Sequence, residues 1–494
     1  MFHWISPTKG EGGRMSEVVE ERLLDRALRR MTTLWRDMAA AVTGGEADPD
    51  ITAQLKACLD ARGGEVSARH RAAELAQAYL GADAAGRLDF LRALASFDSD
   101  PEAVAKAMER VAAAHDAAER AVATARLRRA LEPPRIRVLT AFTALPDGVK
   151  FLVDLRADLL RRMGDDPLLH ALETDLKGLL ASWFDVGFLE LKRIDWSSSA
   201  AILEKLVEYE AVHRIRTWRD LKNRLDSDRR CYAFFHPRMP HEPLIFVEVA
   251  LTKGMADSVQ RLLDHNAPVL DPRSADTAVF YSINNCQRGL DGISFGNFLI
   301  KRVVGLLSDE FRNLKVFCTL SPIPGFRRWL DARLAEGEAL LTEEESRALT
   351  VAAPAAPLAL AAPGAEPAEP PPPETGEEVL RRLLLRRFWL RDANLAKAME
   401  PVLTRLCARY LVLGEAPRRP GRALDPVAHF HLSNGARIER INWRADTSEK
   451  GVRESAALMV NYLYDPAKIE DYHEGYVGES RRPVSNPLKK LARA

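Results

Sequence analysis

The groups in this chain with the capacity for joint chemistry are a glycine-rich loop, a serine and a histidine. Residues 287–296 read Gln-Arg-Gly-Leu-Asp-Gly-Ile-Ser-Phe-Gly. They lie between an apolar, β-favouring run over 278–283 and a run over 298–307 that is apolar at helical spacing. Backbone amides freed at Gly289, Gly292 and Gly296, together with the N-terminus of the following helix, favour an anion such as a phosphate. The loop lacks both the Lys-Ser/Thr of a nucleotide-hydrolysing P-loop and the strict spacing of a dinucleotide-binding turn. Residues 315–320 then form a second strand that delivers Ser321 at its end, where Pro322 stops the ladder and Pro324-Gly325 turns the chain into another helix. A hydroxyl in that position faces a cleft more readily than a core. Much later in the chain, His429 and His431 alternate with Phe430 and Leu432, so both are expected on one face of a strand over 427–432 that joins the same sheet. No Gly-x-Ser-x-Gly elbow surrounds any serine, which leaves an acyl-serine hydrolase without support.

The elements that must position these groups fall into two regions. Residues 16–185 are rich in Ala, Leu, Arg and Glu, with stripes such as Leu23, Leu24, Ala27, Leu28, Met31 and Leu34. Breaks at Gly44-Gly45, Gly63-Gly64, Asp100-Pro101, Pro133-Pro134, Gly164 and Pro167 predict seven or eight helices in an antiparallel bundle. From about Phe188 a mixed α/β region begins, with a strand over 188–194, helices over 197–214 and 217–225, antiparallel strands over 231–235 and 244–251, and a short helix over 253–263. Beyond the serine, helices over 326–334 and 342–348 precede an Ala/Pro/Glu segment, 351–378, read as a solvated linker. The linker and the helical pattern over 378–413 read as an insertion at about 350–415. In the last part, Ser433-Asn434-Gly435 predicts a hairpin between strands over 427–432 and 436–443. A helix from Thr447 or Ser448 to about Tyr462 and an extended or disordered tail complete the reading. The fold class is therefore α+β: residues 16–187 an all-helical bundle, 188–480 a mixed α/β domain, with 1–15 disordered and 481–494 a tail.

Composition narrows the partners. A length of 494 residues exceeds one ordinary core, and a formal net charge of +1 gives no global argument for nucleic acid. No uncharged apolar window is long enough for a membrane span. The five cysteines, Cys58, Cys231, Cys286, Cys318 and Cys407, are scattered singly. That pattern suits neither a zinc site nor a disulfide scaffold, and fits a reducing compartment. The first fourteen residues lack the apolar segment of a secretory signal, and Met15 is a second candidate start. The final Lys489 to Ala494 is not a peroxisomal Ser-Lys-Leu address. A bacterial cytoplasm is the expected location.

By position, the glycine loop resembles the acyl-CoA pyrophosphate loop of the GNAT acetyltransferase fold, although its glycines are spaced more widely. The blocks FYSINNCQRGLDGISFGNFLIKRVV, LSPIPGFRRWL, DPVAHFHLSNGARIERINWRAD and LMVNY, in that order, resemble the malonyl-CoA decarboxylase family. The resemblance is strong over the second region and general over the first. It implies a helical oligomerisation domain followed by a GNAT-like catalytic domain, converting malonyl-CoA to acetyl-CoA and carbon dioxide without metal or organic cofactor. It maps the family's serine and histidine onto Ser321 and His431. The substrate loop falls on Asp291, Gly292, Ile293, Ser294, Phe295, Gly296 and Asn297, with Ser282 and Tyr464 as further substrate contacts. Eukaryotic members carry a glutamate where this chain has Ser294, so positioning rather than proton transfer is expected of the loop. The reaction needs an enolate stabilised and a carbon protonated; His431 is expected to supply the proton while Ser321 holds the carboxylate or thioester oxygen. Phe280, Phe295 and Phe430 are expected to make the pocket partly apolar. An acyl-CoA-dependent acetyltransferase and a non-catalytic CoA-binding scaffold would share these features; acetyl-CoA formed from malonyl-CoA without any acceptor separates them from a decarboxylase.

Overall fold

The computed structural model describes residues 50–60, 65–293, 299–353, 374–386, 389–417 and 419–494. Eight helices run between Ile51 and Trp183 among the described residues. Asp83, Asp100, Asp116 and Asp166 each cap one of them through a side-chain oxygen, and Pro101 and Pro167 follow two of these caps at the first helical position. The breaks at Asp100-Pro101, Pro133-Pro134 and Gly164 to Pro167 therefore fall between helices. Phe90, Phe142, Phe151, Leu155 and Leu176 fill the shared interior. Both glycine pairs and the stripe over 23–34 lie outside the described residues.

Eight strands form one sheet: β1 Glu190–Ile194, β2 Arg229–His236, β3 Met239–Thr252, β4 Thr277–Asn285, β5 Val316–Thr319, β6 Ser321–Pro322, β7 Arg437–Asn442 and β8 Met459–Leu463. Their order is β1-β2-β3-β4-β5-β8-β6, with β7 on β8. Every pairing is antiparallel except β4 with β5, whose parallel connection runs through the helix Leu299–Glu310. Both faces are covered. Tyr232 and Phe234 belong to the large core on one side, and Cys231, Ala233 and Phe235 to a smaller cluster on the other.

The parallel pair is short. Its register runs from Thr277 opposite Val316 to Phe280 opposite Thr319, closed by Leu320 N–H donating to the Phe280 carbonyl at 3.0 Å. Beyond that point β4 continues with β3 alone, whereas the other chain passes into β6 and pairs with β8. The register slip between Glu248 and Val249 leaves Tyr281 as an extra residue on β4, and such a bulge bends its strand. The two strands part company at the residue before Ser321.

The last part of the chain departs from the sequence reading. Residues expected as a strand over 427–432 form the helix Pro426–Ser433. Asp425 caps it, and Pro426 occupies its first position. All but two of its residues are buried, so its apolar pattern runs round the helix and carries no usable period. The Asn-Gly dipeptide does not make a hairpin. Asn434 N–H bonds back to the helix carbonyls, and Gly435, at φ 78°, ends the helix in the left-handed region. The helix expected to reach Tyr462 stops after Glu449–Ser455, because Ala456 and Ala457 take positive φ and turn the chain into β8. The tail is ordered: Val484 bridges Ile438, and Asn486–Leu491 is helical with Leu488 buried. Shorter corrections fall at Ala200–Tyr209, capped by Ser199, and at Val259–Leu262, each smaller than the helix expected there.

Candidate active site

β5, β6 and β8 bring the site together. Thr319 and Ser321, two residues apart, point to one face of the sheet, and the helix Pro426–Ser433 lies over that face. Ser321 Oγ stands 3.0 Å from His431 Nε2 and donates to Thr319 Oγ1 at 2.8 Å. Tyr464 Oη stands 2.8 Å from His431 Nδ1. With the serine proton engaged by Thr319, the row is satisfied when Nε2–H donates to Ser321 and Nδ1 accepts from the phenol. Thr319 Oγ1 also accepts from Tyr462 N–H at 3.1 Å, which ties it to β8.

The imidazole is enclosed by aromatic rings. Tyr462 stacks on it with centroids 4.4 Å apart and planes at 25°, Phe430 meets it edge-on, and Phe280 packs against Tyr464. His431 is 3% exposed. Burial alone lowers its pKa to about 3, so the ring is neutral at neutral pH. Burial likewise pushes the Tyr464 phenol well above its ordinary value. The consequence for stability has a definite sign. An unfolded histidine titrates near 6.5, so below that pH the unfolded chain binds the proton and stability falls as pH drops toward 3. At pH 5 the loss from His431 is about 2 kcal/mol relative to neutral pH. His429 and His213, whose pKa values burial lowers to about 4, act in the same direction. Denaturant melts at pH 7.5 and 5.0 are expected to show a smaller acid loss for His431→Asn than for the unaltered chain.

Of the loop residues, Asp291, Gly292 and Ile293 are described, while Ser294, Phe295, Gly296 and Asn297 lie outside the described residues. Gly292 has φ 77°, and a Cβ there would come 3.2 Å from Lys177 Nζ. The loop's first turn, Arg288–Leu290, lies against the helix Gly148–Arg162. Arg156 Nη1 donates to the Gly289 carbonyl at 2.6 Å, while its Nε and Nη2 bond Glu173 Oε1 at 3.1 and 2.6 Å. The helical region thus supplies the wall of the glycine loop.

The structure brings Ser321, His431 and Tyr464 together with Phe280 and Phe430. It separates His429, which bonds Tyr476 Oη at 2.8 Å on another side of the helix, because positions i and i+2 diverge on a helix where they would coincide on a strand. Ser282 also stands apart. The Tyr281 bulge turns it to the opposite face, where Ser282 Oγ donates to Glu210 Oε2 at 2.7 Å and Asn284 Nδ2 to the same oxygen at 2.9 Å. There Glu210 and Glu248 share Arg224, and burial raises the pKa of both carboxyls. Sequence reasoning missed Thr319, Tyr462 and Arg156. A period of two from Ser321 points to Thr319, whereas Arg156 is one arginine among many on a helical stretch. Among the described residues, no three His, Cys, Asp or Glu side chains converge as a metal-binding group.

Comparison with known proteins gives matches over most of the chain. The family model for the malonyl-CoA decarboxylase C-terminal domain matches residues 187–494, and that for the N-terminal domain matches residues 97–184. A mitochondrial malonyl-CoA decarboxylase of Anser anser anser is 38% identical over 439 residues, 85% of this chain and 83% of that protein. That of Rattus norvegicus is 38% identical over 381 residues, 74% of this chain and 72% of that protein. The crystal structure of malonyl-CoA decarboxylase from Rhodopseudomonas palustris superposes with a TM-score of 0.77 at 40% identity, covering 89% of this chain and 98% of that one. The structure from Agrobacterium vitis gives 0.77 at 39% identity, covering 90% and 99%.

Proposed function

The chain belongs to the malonyl-CoA decarboxylase family, and from that premise we propose that it converts malonyl-CoA to acetyl-CoA and carbon dioxide at the Ser321–His431 pair. The observation that carries the reading is the buried row Tyr464–His431–Ser321–Thr319 at the point where β4 and β5 part. The parting of a parallel strand pair next to a glycine loop supports the GNAT-like description of residues 188–480. In this reading the acyl thioester enters the gap and its CoA phosphates lie along 291–297.

The carbon–carbon bond breaks heterolytically. Its electron pair becomes the enolate of the acetyl thioester as carbon dioxide leaves; His431, having taken up one solvent proton to become the imidazolium, then gives its Nε2 proton to the new C–H bond and returns to the neutral ring. Two things raise the proton affinity of an imidazole that burial otherwise keeps neutral: the malonyl carboxylate beside it, and then the enolate. Ser321 Oγ–H turns from Thr319 to donate to the thioester or carboxylate oxygen. Tyr464 fixes the tautomer that carries its proton on Nε2, the nitrogen beside Ser321, and the ring enclosure weakens solvation of the ground-state carboxylate. None of these steps calls on a metal or an organic cofactor. Purified chain incubated with malonyl-CoA is expected to form acetyl-CoA without an acceptor; no turnover would overturn the proposal. Tyr464→Phe removes one hydrogen bond while leaving the ring against Phe280, and is expected to lower kcat about tenfold.

We read residues 16–187 as an oligomerisation domain, supported by exposed Met108, Val122 and Leu131 on the helices Pro101–Ala112 and Ala117–Leu131. Among the described residues no helix is long and apolar enough to cross a membrane. The proposed cytoplasmic location rests on the five free cysteines.

A further inference from the structure

Ser321 and His431 are far apart in sequence, and each is held by a short connection to one buried carboxylate. We infer that Asp425 is a positioning residue that fixes their separation, by clamping the turn after the serine to the start of the histidine's helix. The inference rests on the Ser321–His431 reading above.

Asp425 is 1% exposed. Its Oδ1 accepts from Val427 N–H and Ala428 N–H, both at 3.0 Å, which caps the helix. Its Oδ2 accepts from Tyr410 Oη–H at 3.1 Å, and the Gly325 N–H also points at the carboxylate. Gly325 packs so closely that a Cβ there would lie 2.1 Å from Tyr410 Oη and 3.4 Å from Asp425 Oδ2. From Gly325 to Ser321 the chain is stiffened by Pro322 and Pro324. From Asp425 to His431 it is helix.

A cap alone does not account for this choice of residue. Serine or threonine would cap as well with one oxygen. A carboxylate here is costly: among the described residues no Lys or Arg forms an ion pair with it, and burial raises its pKa to about 6. What the carboxylate adds is a second acceptor, and that acceptor serves the serine's turn.

The test uses the full-length chain. Asp425→Ser keeps a capping oxygen and deletes the second acceptor; Asp425→Asn keeps the cap and turns the second acceptor into a donor facing Gly325 N–H. Both are expected to lower kcat by about 10- to 100-fold, as a misplacement near 1 Å does, with KM within about threefold and a melting temperature at pH 7.5 that is unchanged or higher. The pH profile separates positioning from structure. Around Asp425 stand Tyr410 and Cys407 on the helix Ala393–Leu413 and Tyr462 on β8, all with pKa values raised by burial. On its own helix stand His429 and His431, which titrate lower. The kcat of the unaltered chain is therefore expected to show an acid limb near pH 6 that Asp425→Asn lacks. Unchanged kcat and an unchanged limb, or a kcat loss matched by a lower melting temperature, would overturn the inference. If either variant fails to fold, Tyr410→Phe removes one donor to Oδ2 without touching the cap, and is expected to lower kcat several-fold at constant KM; unchanged kcat there counts against the clamp. Where His431→Asn and Ser321→Ala themselves retain full turnover, the pair assignment has failed instead.

Discussion

His431→Asn is expected to lower kcat by about 10²- to 10⁴-fold, the range of a lost positioned acid, with the chain still folded. Asparagine fits the volume and has an amide that can face Tyr464 or Ser321, but it delivers no proton to carbon. Ser321→Ala removes the group 3.0 Å from Nε2 and is expected to cost about a hundredfold, on the order of 3 kcal/mol. Because the two act on one enolate, the double variant should be no worse than about tenfold below His431→Asn. Single-turnover formation of acetyl-CoA, with malonyl-CoA affinity measured separately, reads this directly. Additive losses would mean that the two side chains act at different steps, and an active His431→Asn would remove the proposed acid altogether.

What the sequence made legible follows from how local each signal is. The strand and helix around 278–307 could be read because period, glycine and proline change within a few residues; β4, the helix Leu299–Glu310 and β5 stand where they were expected. Pro322 does not stop the ladder as expected: Ser321 and Pro322 pair with β8 as β6, at the end of the sheet order, where a proline is tolerated. The helical region was legible because Asp-Pro caps punctuate it. The setting of His431 was not. A short helix buried on nearly every side has no polar face, and His-Phe-His-Leu then imitates strand alternation. The Asn-Gly that ends such a helix imitates a hairpin turn. The cue that does discriminate is Asp425-Pro426, a cap followed by a first-turn proline, which marks a helix start and cannot continue a central ladder. His431 still reached the site because the helix lies on the sheet face that carries Ser321, though by a different geometry from the one expected. Ser282 shows the complementary failure: one bulge residue, Tyr281, sends its hydroxyl to the far face, and no sequence period records a bulge.

The contact between the helical region and the glycine loop gives the second large expected effect. A Cβ on Gly289 would lie 1.7 Å from the Val153 carbonyl oxygen and 2.5 Å from its carbon. Both are backbone atoms of a helix, so no rotamer relieves the overlap and the loop itself must move. Gly289→Ala is therefore expected to destabilise the chain by about 1–3 kcal/mol, as overpacking does. It should also pull the Gly289 carbonyl off Arg156. If 291–297 hold the CoA phosphates, their amides lose register with the ligand, and KM for malonyl-CoA should rise tenfold or more while saturating kcat falls far less, since Ser321 and His431 sit on other elements. Arg156→Met tests the same contact without adding volume. It leaves the Gly289 carbonyl and Glu173 without their donor, and is expected to raise KM in the same sense. A KM untouched by both variants, in chains that remain folded, would sever the loop from CoA binding and leave the helical region with a structural part alone. A raised KM would instead make that region part of substrate recognition, through one arginine more than a hundred residues before the loop residue it holds.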